Sequence, residues 1–177
     1  RLLSGNHPYC EELESRLASL HGQRAGLMFG SGYQANLSVI SCLPCDTILY
    51  DSLIHNSLHM GMRWWQQRDS SKKLHMFRHN DASHLEEILK GLDIADSTVV
   101  RVESVYSMDG DVAPLQEVMD VADKYSAKVV VDEAHGFGVY GRSSGVRGTG
   151  VLAELELEQH PSLLSSVFTF GKAAGCH

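Results

Sequence analysis

Apolar and polar positions follow two alternating periods along this chain. Leu13, Leu17 and Leu20 recur at helical spacing after Pro8, with Glu11, Glu12, Glu14 and Arg16 around them, and Gly22 supplies a stop. The apolar run at 25–29 predicts a short buried strand, Gly30-Ser31-Gly32 a turn, and Tyr33 to about Cys42 a helix. The alternation continues with strand over 47–51, helix over 55–67, strand over 73–77 and helix over 83–92. Residues 97–105 are β-rich, 114–126 are helical with Leu115, Val118, Met119 and Ala122 on one stripe, and 128–131 and 166–170 are strands. This βα rhythm predicts a three-layer α/β fold, a mainly parallel sheet with helices on both faces. No repeat or linker interrupts it, so residues 1–177 read as a single domain. The stretch 136–150, rich in Gly, Arg and Ser, reads as a long excursion beyond a strand, where loops tend to carry function.

A chain of 177 residues buries roughly 70 % of its unfolded surface, enough for a full core. It opens at Arg1 without Met and stops just after a glycine-rich stretch, which reads as a piece of a longer polypeptide. The formal net charge of -7 argues against a nucleic-acid partner, whose recognition needs a basic face. No apolar run approaches the ~20 residues of a membrane span, and Arg1-Leu2-Leu3 is too short for a signal peptide, so a cytoplasmic location is expected. Cys42 and Cys45 form a lone CxxC without the second pair of a zinc site; half-buried reduced thiols are expected there. Trp64-Trp65 reads as core or subunit interface.

The stretch VVVDEAHGFGVYG, residues 129–141, places carboxylates at the end of a buried strand. Its Asp-Glu-Ala-His also spells the acidic signature of an ATP-driven helicase. That chemistry needs G-x-x-x-x-G-K-[ST], and the sole Gly-Lys pair, Gly171-Lys172, is followed by Ala173 and lies after the Asp-Glu, which excludes nucleotide hydrolysis. What remains is a glycine turn opening a helix at Ser31-Gly32-Tyr33, the imidazole of His55, Asp132 at a strand end, His135 three residues later, and Lys172 beside Thr169. Helix N-terminal amides bind a dianionic phosphate, an imidazole covers a flat ring, a carboxylate keeps a pyridine nitrogen protonated, and an amine forms a Schiff base. Pyridoxal phosphate requires all four. The other histidines lack metal-ligand spacing, and no metal is expected.

Six blocks in order, RLLSGNHPYCEELE, FGSGYQANLSV, HNDASHLEEIL, ESVYSMDGDVAPL, VVVDEAHGFGVYG and TFGKAAGCH, resemble consecutive blocks of the α-oxoamine synthases, nearest to their biotin-pathway branch. The resemblance runs from one end of the chain to the other. It implies the fold-type-I architecture of pyridoxal phosphate-dependent transferases, with this chain as most of the large cofactor-binding domain and a small C-terminal domain outside it. Position by position, it implies a Schiff base on Lys172, pairing of Asp132 with the pyridinium nitrogen, and stacking of His55 on the ring. His135 and Ser107 would serve the phenolic oxygen and its surroundings, and Gly32, Tyr33 and Thr169 the phosphate. His59 lies one turn after His55 and the helix could present either, but only His55 aligns with the family block.

The implied activity is condensation of an amino acid with an acyl-CoA and loss of carbon dioxide, with Lys172 as base for the Cα proton and His135 polarising the acyl carbonyl. The biotin-pathway branch implies L-alanine and pimeloyl-CoA, whereas relatives using glycine or serine share the same cofactor blocks. The family also implies a homodimer with active sites at its interface, to which Ser4-Gly5-Asn6 could contribute. A catalytically silent subunit is the alternative, although such a chain is expected to lose the lysine. This chain departs from the family at Thr169-Phe170-Gly171-Lys172, where many relatives have Thr-x-Ser-Lys and one more phosphate hydroxyl, and at Ile54, Asn56 and Met60, which bear on substrate.

Overall fold

A computed structural model describes residues 5–93, 97–141 and 148–176. Its sheet contains β1 (Thr47–Asp51), β2 (Lys73–Phe77), β3 (Thr98–Glu103), β4 (Lys128–Asp132) and β5 (Leu163–Val167) in the order β2-β1-β3-β4-β5. All four pairings are parallel. The central strands are valine-rich and buried on both faces, as a covered parallel sheet requires: Val100, Val102, Val129, Val130 and Val131 have no exposed surface.

The helices are α1 (Pro8–Leu20), α2 (Gly32–Ser41), α3 (Asn56–Gln67), α4 (Ala82–Gly91), α5 (Leu115–Lys124) and the short α6 (Val151–Glu154). The chain moves from β1 to β2 in one direction, then back across β1 to β3 and on to β4. Right-handed crossovers therefore put α3 on one face and α4 and α5 on the other, and α2 packs on α3 while α4 packs on α5. The order reverses between β1 and β3. The crevice beyond the C-terminal ends of the strands at such a reversal is where open α/β sheets hold ligands.

Two expected strands differ. Residues 25–29 form no strand: Leu27 and Phe29 are exposed, and the Met28 amide donates to Glu14 Oε1 at 2.7 Å rather than to a neighbouring strand. A short apolar run has no period to separate strand from extended connection. The last strand lies three residues earlier than expected, at Leu163–Val167, which leaves 168–172 free to turn over the sheet edge. Trp65 is core, its Nε1 donating to the Leu43 carbonyl at 3.0 Å, and Trp64 is half-exposed. Ser4 and residues 142–147 of the glycine-rich excursion lie outside the described residues.

A polar clamp ties the loops after β1, β2 and β3 together. His79 bridges the carboxylates of Asp51 (2.8 Å) and Asp111 (2.7 Å), and the Asn80 backbone and side chain donate to the same two groups. Burial opposes a charge on His79, but the bonds from both aspartates outweigh it and raise its pKa. Among the described residues no helix is long and apolar enough to cross a membrane.

Candidate active site

One cleft opens beyond the ends of β3, β4 and β5, with a volume of about 140 Å³. Its floor is β4, which ends at Asp132. Asp132 is 4% exposed, and its carboxylate accepts from the Ala134 amide at 2.9 Å and from Asn36 Nδ2 at 2.6 Å. Parallel register sets Glu103 of β3 directly beside it, also buried. Two buried carboxylates side by side repel, and burial first, then Asp132, pushes Glu103 up to about 7.

The walls come from helix N-termini. Ser31 caps α2, its hydroxyl accepting from the Gln34 amide at 3.2 Å, so the amides of Gly32 and Tyr33 belong to the first turn that helical bonding leaves open. Close approach favours glycine at 32: a Cβ there would stand 3.3 Å from Thr169 Cβ, a tight contact that Thr169 would have to yield to. His55 caps α3. Its Nδ1 accepts from the Ser57 amide at 3.2 Å and its own amide donates to Glu103 Oε1 at 2.5 Å, which fixes the ring at the cleft edge.

Lys172 and His135 face each other across the opening. Lys172 Nζ donates to His135 Nε2 at 2.5 Å. Burial lowers the Lys172 pKa against the pull of Asp132 and Glu103, and burial followed by the Lys172 charge lowers that of His135. A neutral imidazole thus accepts from an amine that gives up its proton more readily than a surface lysine, the state a nucleophile or base needs.

Seven residues expected from the sequence meet here: Gly32, Tyr33, His55, Asp132, His135, Thr169 and Lys172 line the cleft. Ser31 stands behind the lining as the cap of α2, and Ser107, exposed on the connection after β3, is outside it. His59 packs edge-on against Tyr50, with ring centroids 5.6 Å apart, so α3 presents His55 rather than His59. Sequence reasoning missed Asn36, Ser57 and Glu103. Asn36 lies three residues after Tyr33, the spacing of one helix face, and Glu103 is a strand-end carboxylate like Asp132; both signals were present. Ser57 carried none. Among the described residues no group of three His, Cys, Asp or Glu side chains could hold a metal ion.

Chemically, the arrangement offers amides and a hydroxyl for a phosphate, an imidazole beside a flat ring, a carboxylate at its far edge, and an amine for a carbonyl. The aminotransferase class I and II family matches residues 1–177. An 8-amino-7-oxononanoate synthase of Emericella nidulans is 41% identical over 191 residues, which cover 100% of this chain and 44% of the relative. A 5-aminolevulinate synthase of Bradyrhizobium diazoefficiens is 39% identical over 180 residues, 99% of this chain and 41% of its own length. A serine palmitoyltransferase from S. paucimobilis, solved with a bound PLP-myriocin aldimine, superimposes with a TM-score of 0.87 at 33% identity, over 99% of this chain and 43% of that one. The chain spans less than half the length of each of these proteins. All three are α-oxoamine synthases, and with the family match along the whole chain they place the protein in the aminotransferase class I and II family, in its α-oxoamine synthase branch.

Proposed function

We infer that this chain is the pyridoxal phosphate-binding part of an enzyme that condenses an amino acid with an acyl-CoA and releases carbon dioxide. The observation that carries the reading is the meeting of Lys172, His135, Asp132 and the open first turn of α2 in one cleft. The residues present suit the cofactor. A side chain at 32 would meet Thr169 and fill the cradle between them, and the buried Asp132 carboxylate lines the floor.

In this reading the amides of Gly32 and Tyr33, with Thr169 Oγ1, hold the phosphate, and Ser31 keeps that turn in place. His55 covers the ring, and Asp132 holds a proton on the ring nitrogen. When bound, the cofactor supplies an electron sink for the carbanion at the amino acid Cα. Lys172 Nζ, with its lowered pKa, would take the Cα proton, and His135 Nε2 would orient that amine as acceptor and then, once protonated from the resulting ammonium, donate to the acyl carbonyl. Ser107 serves the surroundings of the ring only if the connection after β3 draws closer to the cleft.

L-Alanine with pimeloyl-CoA is the substrate pair supported by 41% identity to the Emericella nidulans enzyme, which would place the reaction in biotin biosynthesis. Glycine is the second reading, supported by the nearly equal 39% identity to a 5-aminolevulinate synthase. A homodimer is part of the proposal, supported by the exposed apolar side chains of Leu27, Phe29 and Tyr33, of which Tyr33 lines the cleft. The test is the absorption spectrum of the full-length protein with pyridoxal phosphate, parent against Lys172→Ala, followed by titration with L-alanine, glycine and L-serine. A visible band that requires Lys172 supports the reading, and the amino acid that perturbs it selects the branch. A parent with no such band overturns the enzyme assignment in favour of a silent subunit.

A further inference from the structure

β3 carries an arginine in a run of valines. Val99, Val100 and Val102 are buried apolar residues, and Arg101 lies among them with 0% exposure. Strand alternation puts Arg101 and Glu103 on the face covered by α2 and α3. Arg101 is paired laterally with Tyr50 and Val130, and Glu103 with Asp132 one step further toward the cleft. A guanidinium taken fully out of water is strongly unfavourable unless anions and acceptors compensate it. Yet among the described residues its Nε and Nη1 have no hydrogen-bond partner, and its Nη2 reaches Asn36 Oδ1 at 3.4 Å. The same Asn36 side chain donates through Nδ2 to Asp132 Oδ2 at 2.6 Å.

We propose that Arg101 is a positioning residue: its buried positive charge keeps Asp132 ionised beside Glu103, and Asn36 links the guanidinium to the Asp132 carboxylate. The role bears on catalysis through the reading above, in which Asp132 holds a proton on the ring nitrogen. Two adjacent carboxylates cannot both stay charged in a dry site without a cation. Lys172 faces them across the cleft, but it loses its positive charge whenever it acts as nucleophile or base. Burial pushes Arg101 down to about 10 against the pull of Asp132 and Glu103, which still leaves it charged at neutral pH, and it lies beneath the floor, away from substrate. Which carboxylate takes a proton follows from their donors. Asp132 accepts from the Ala134 amide as well as from Asn36, whereas Glu103 accepts from the His55 amide and is the carboxyl driven toward the neutral form by burial. The other titratable groups that interact with these carboxylates are His135 at the rim, Asp51 at the end of β1 and Tyr106 beyond β3, while His55 acts on Glu103 through its backbone amide.

The test needs no cofactor. Carboxyl carbons of Asp132 and Glu103 are titrated by 13C NMR in the full-length, cofactor-free protein as parent, Arg101→Met and Arg101→Lys. Removing the charge in Arg101→Met is expected to raise the Asp132 midpoint by about one to three pH units. Arg101→Lys, which keeps the charge and changes the packing, is expected to stay within about half a unit of the parent. An unchanged midpoint in Arg101→Met, or an equal shift in both variants, overturns the proposal and makes Arg101 a packing residue. If Arg101→Met does not fold, Arg101→Gln, which keeps a polar side chain without the charge, takes its place: a rise of the Asp132 midpoint by about one to three pH units supports the proposal, and an unchanged midpoint overturns it. In the parent, failure to bind pyridoxal phosphate overturns the reading of the site, while the titration still decides Arg101. Where the cofactor binds, its dissociation constant at pH 8 is expected to rise about tenfold in Arg101→Met and little in Arg101→Lys.

Discussion

Asp132 and Glu133 are chain neighbours at the end of β4, both buried, and they face opposite sides of the sheet. Asp132 looks into the cleft. Glu133 looks toward α6, where its Oε2 accepts from Ser104 Oγ (2.6 Å) and the Val151 amide (3.1 Å) and its Oε1 accepts from the Leu152 amide (2.7 Å). Gly136 and Gly150 pack on it with no space for a side chain. On one side a carboxylate keeps capacity facing a cavity; on the other every oxygen is committed to the protein. The Asp-Glu pair that looks like an ATPase signature is therefore divided by strand alternation, one acid facing the cleft and the next holding the loop that follows it.

This contrast breaks most visibly at Asp132. In the full-length enzyme Asp132→Asn is expected to lower turnover roughly 10²–10⁴-fold with little change in the urea midpoint, because the amide still accepts from Ala134 but cannot stabilise a protonated ring. Glu133→Ala is expected to act in reverse, destabilising the fold by about 4 kcal/mol in urea unfolding, since it leaves two amides and a hydroxyl buried without acceptors. Gly150→Ala sharpens the structural side: its φ of +116° suits glycine alone, and a methyl group would stand 2.8 Å from the Glu133 carboxyl, so a loss of about 3 kcal/mol is expected in the same measurement.

The smallest effect tests the cleft side through pH. Glu103 titrates near about 7 in the folded chain against 4.5 as its ordinary value. The folded state then binds more protons than the unfolded one between those pH values, so this group's contribution to stability falls as pH rises from 4.5 through about 7. The expected decline is on the order of 2 kcal/mol, and urea unfolding at pH 5 and pH 8 should find it flattened in Glu103→Gln. A slope equal to the parent's would mean that Glu103 is ionised throughout and that the cleft holds its two charges without protonation.

Much of the architecture was legible because it rests on local rules. The stripe Leu115, Val118, Met119 and Ala122 is the buried face of α5, and the Val129–Val131 run is a central strand with no exposed surface. Residues 25–29 show where the rule fails: an apolar run that finds no strand edge remains an exposed connection. In the site, motif residues that line the cleft from loops and caps were legible, among them Gly32, His55, Thr169 and Lys172. Asn36 and Glu103 carried only generic signals, a helix-face spacing and a strand-end acid, and Ser57 none; what singles them out is contact with residues far away in the chain, as between Asn36 and Asp132 or His55 and Glu103.

The sequence by itself determined the βα rhythm, the family resemblance, and the identities of the amine, imidazole and carboxylate that meet in the cleft, since period and residue type are local properties. Only the tertiary structure decided that Asn36 and Glu103 line the cleft, that Glu133 serves α6, and that a buried arginine lies beneath two carboxylates. Those outcomes depend on strand register, and register brings Glu103 to Asp132 and Arg101 to Val130 across strands that no local pattern connects.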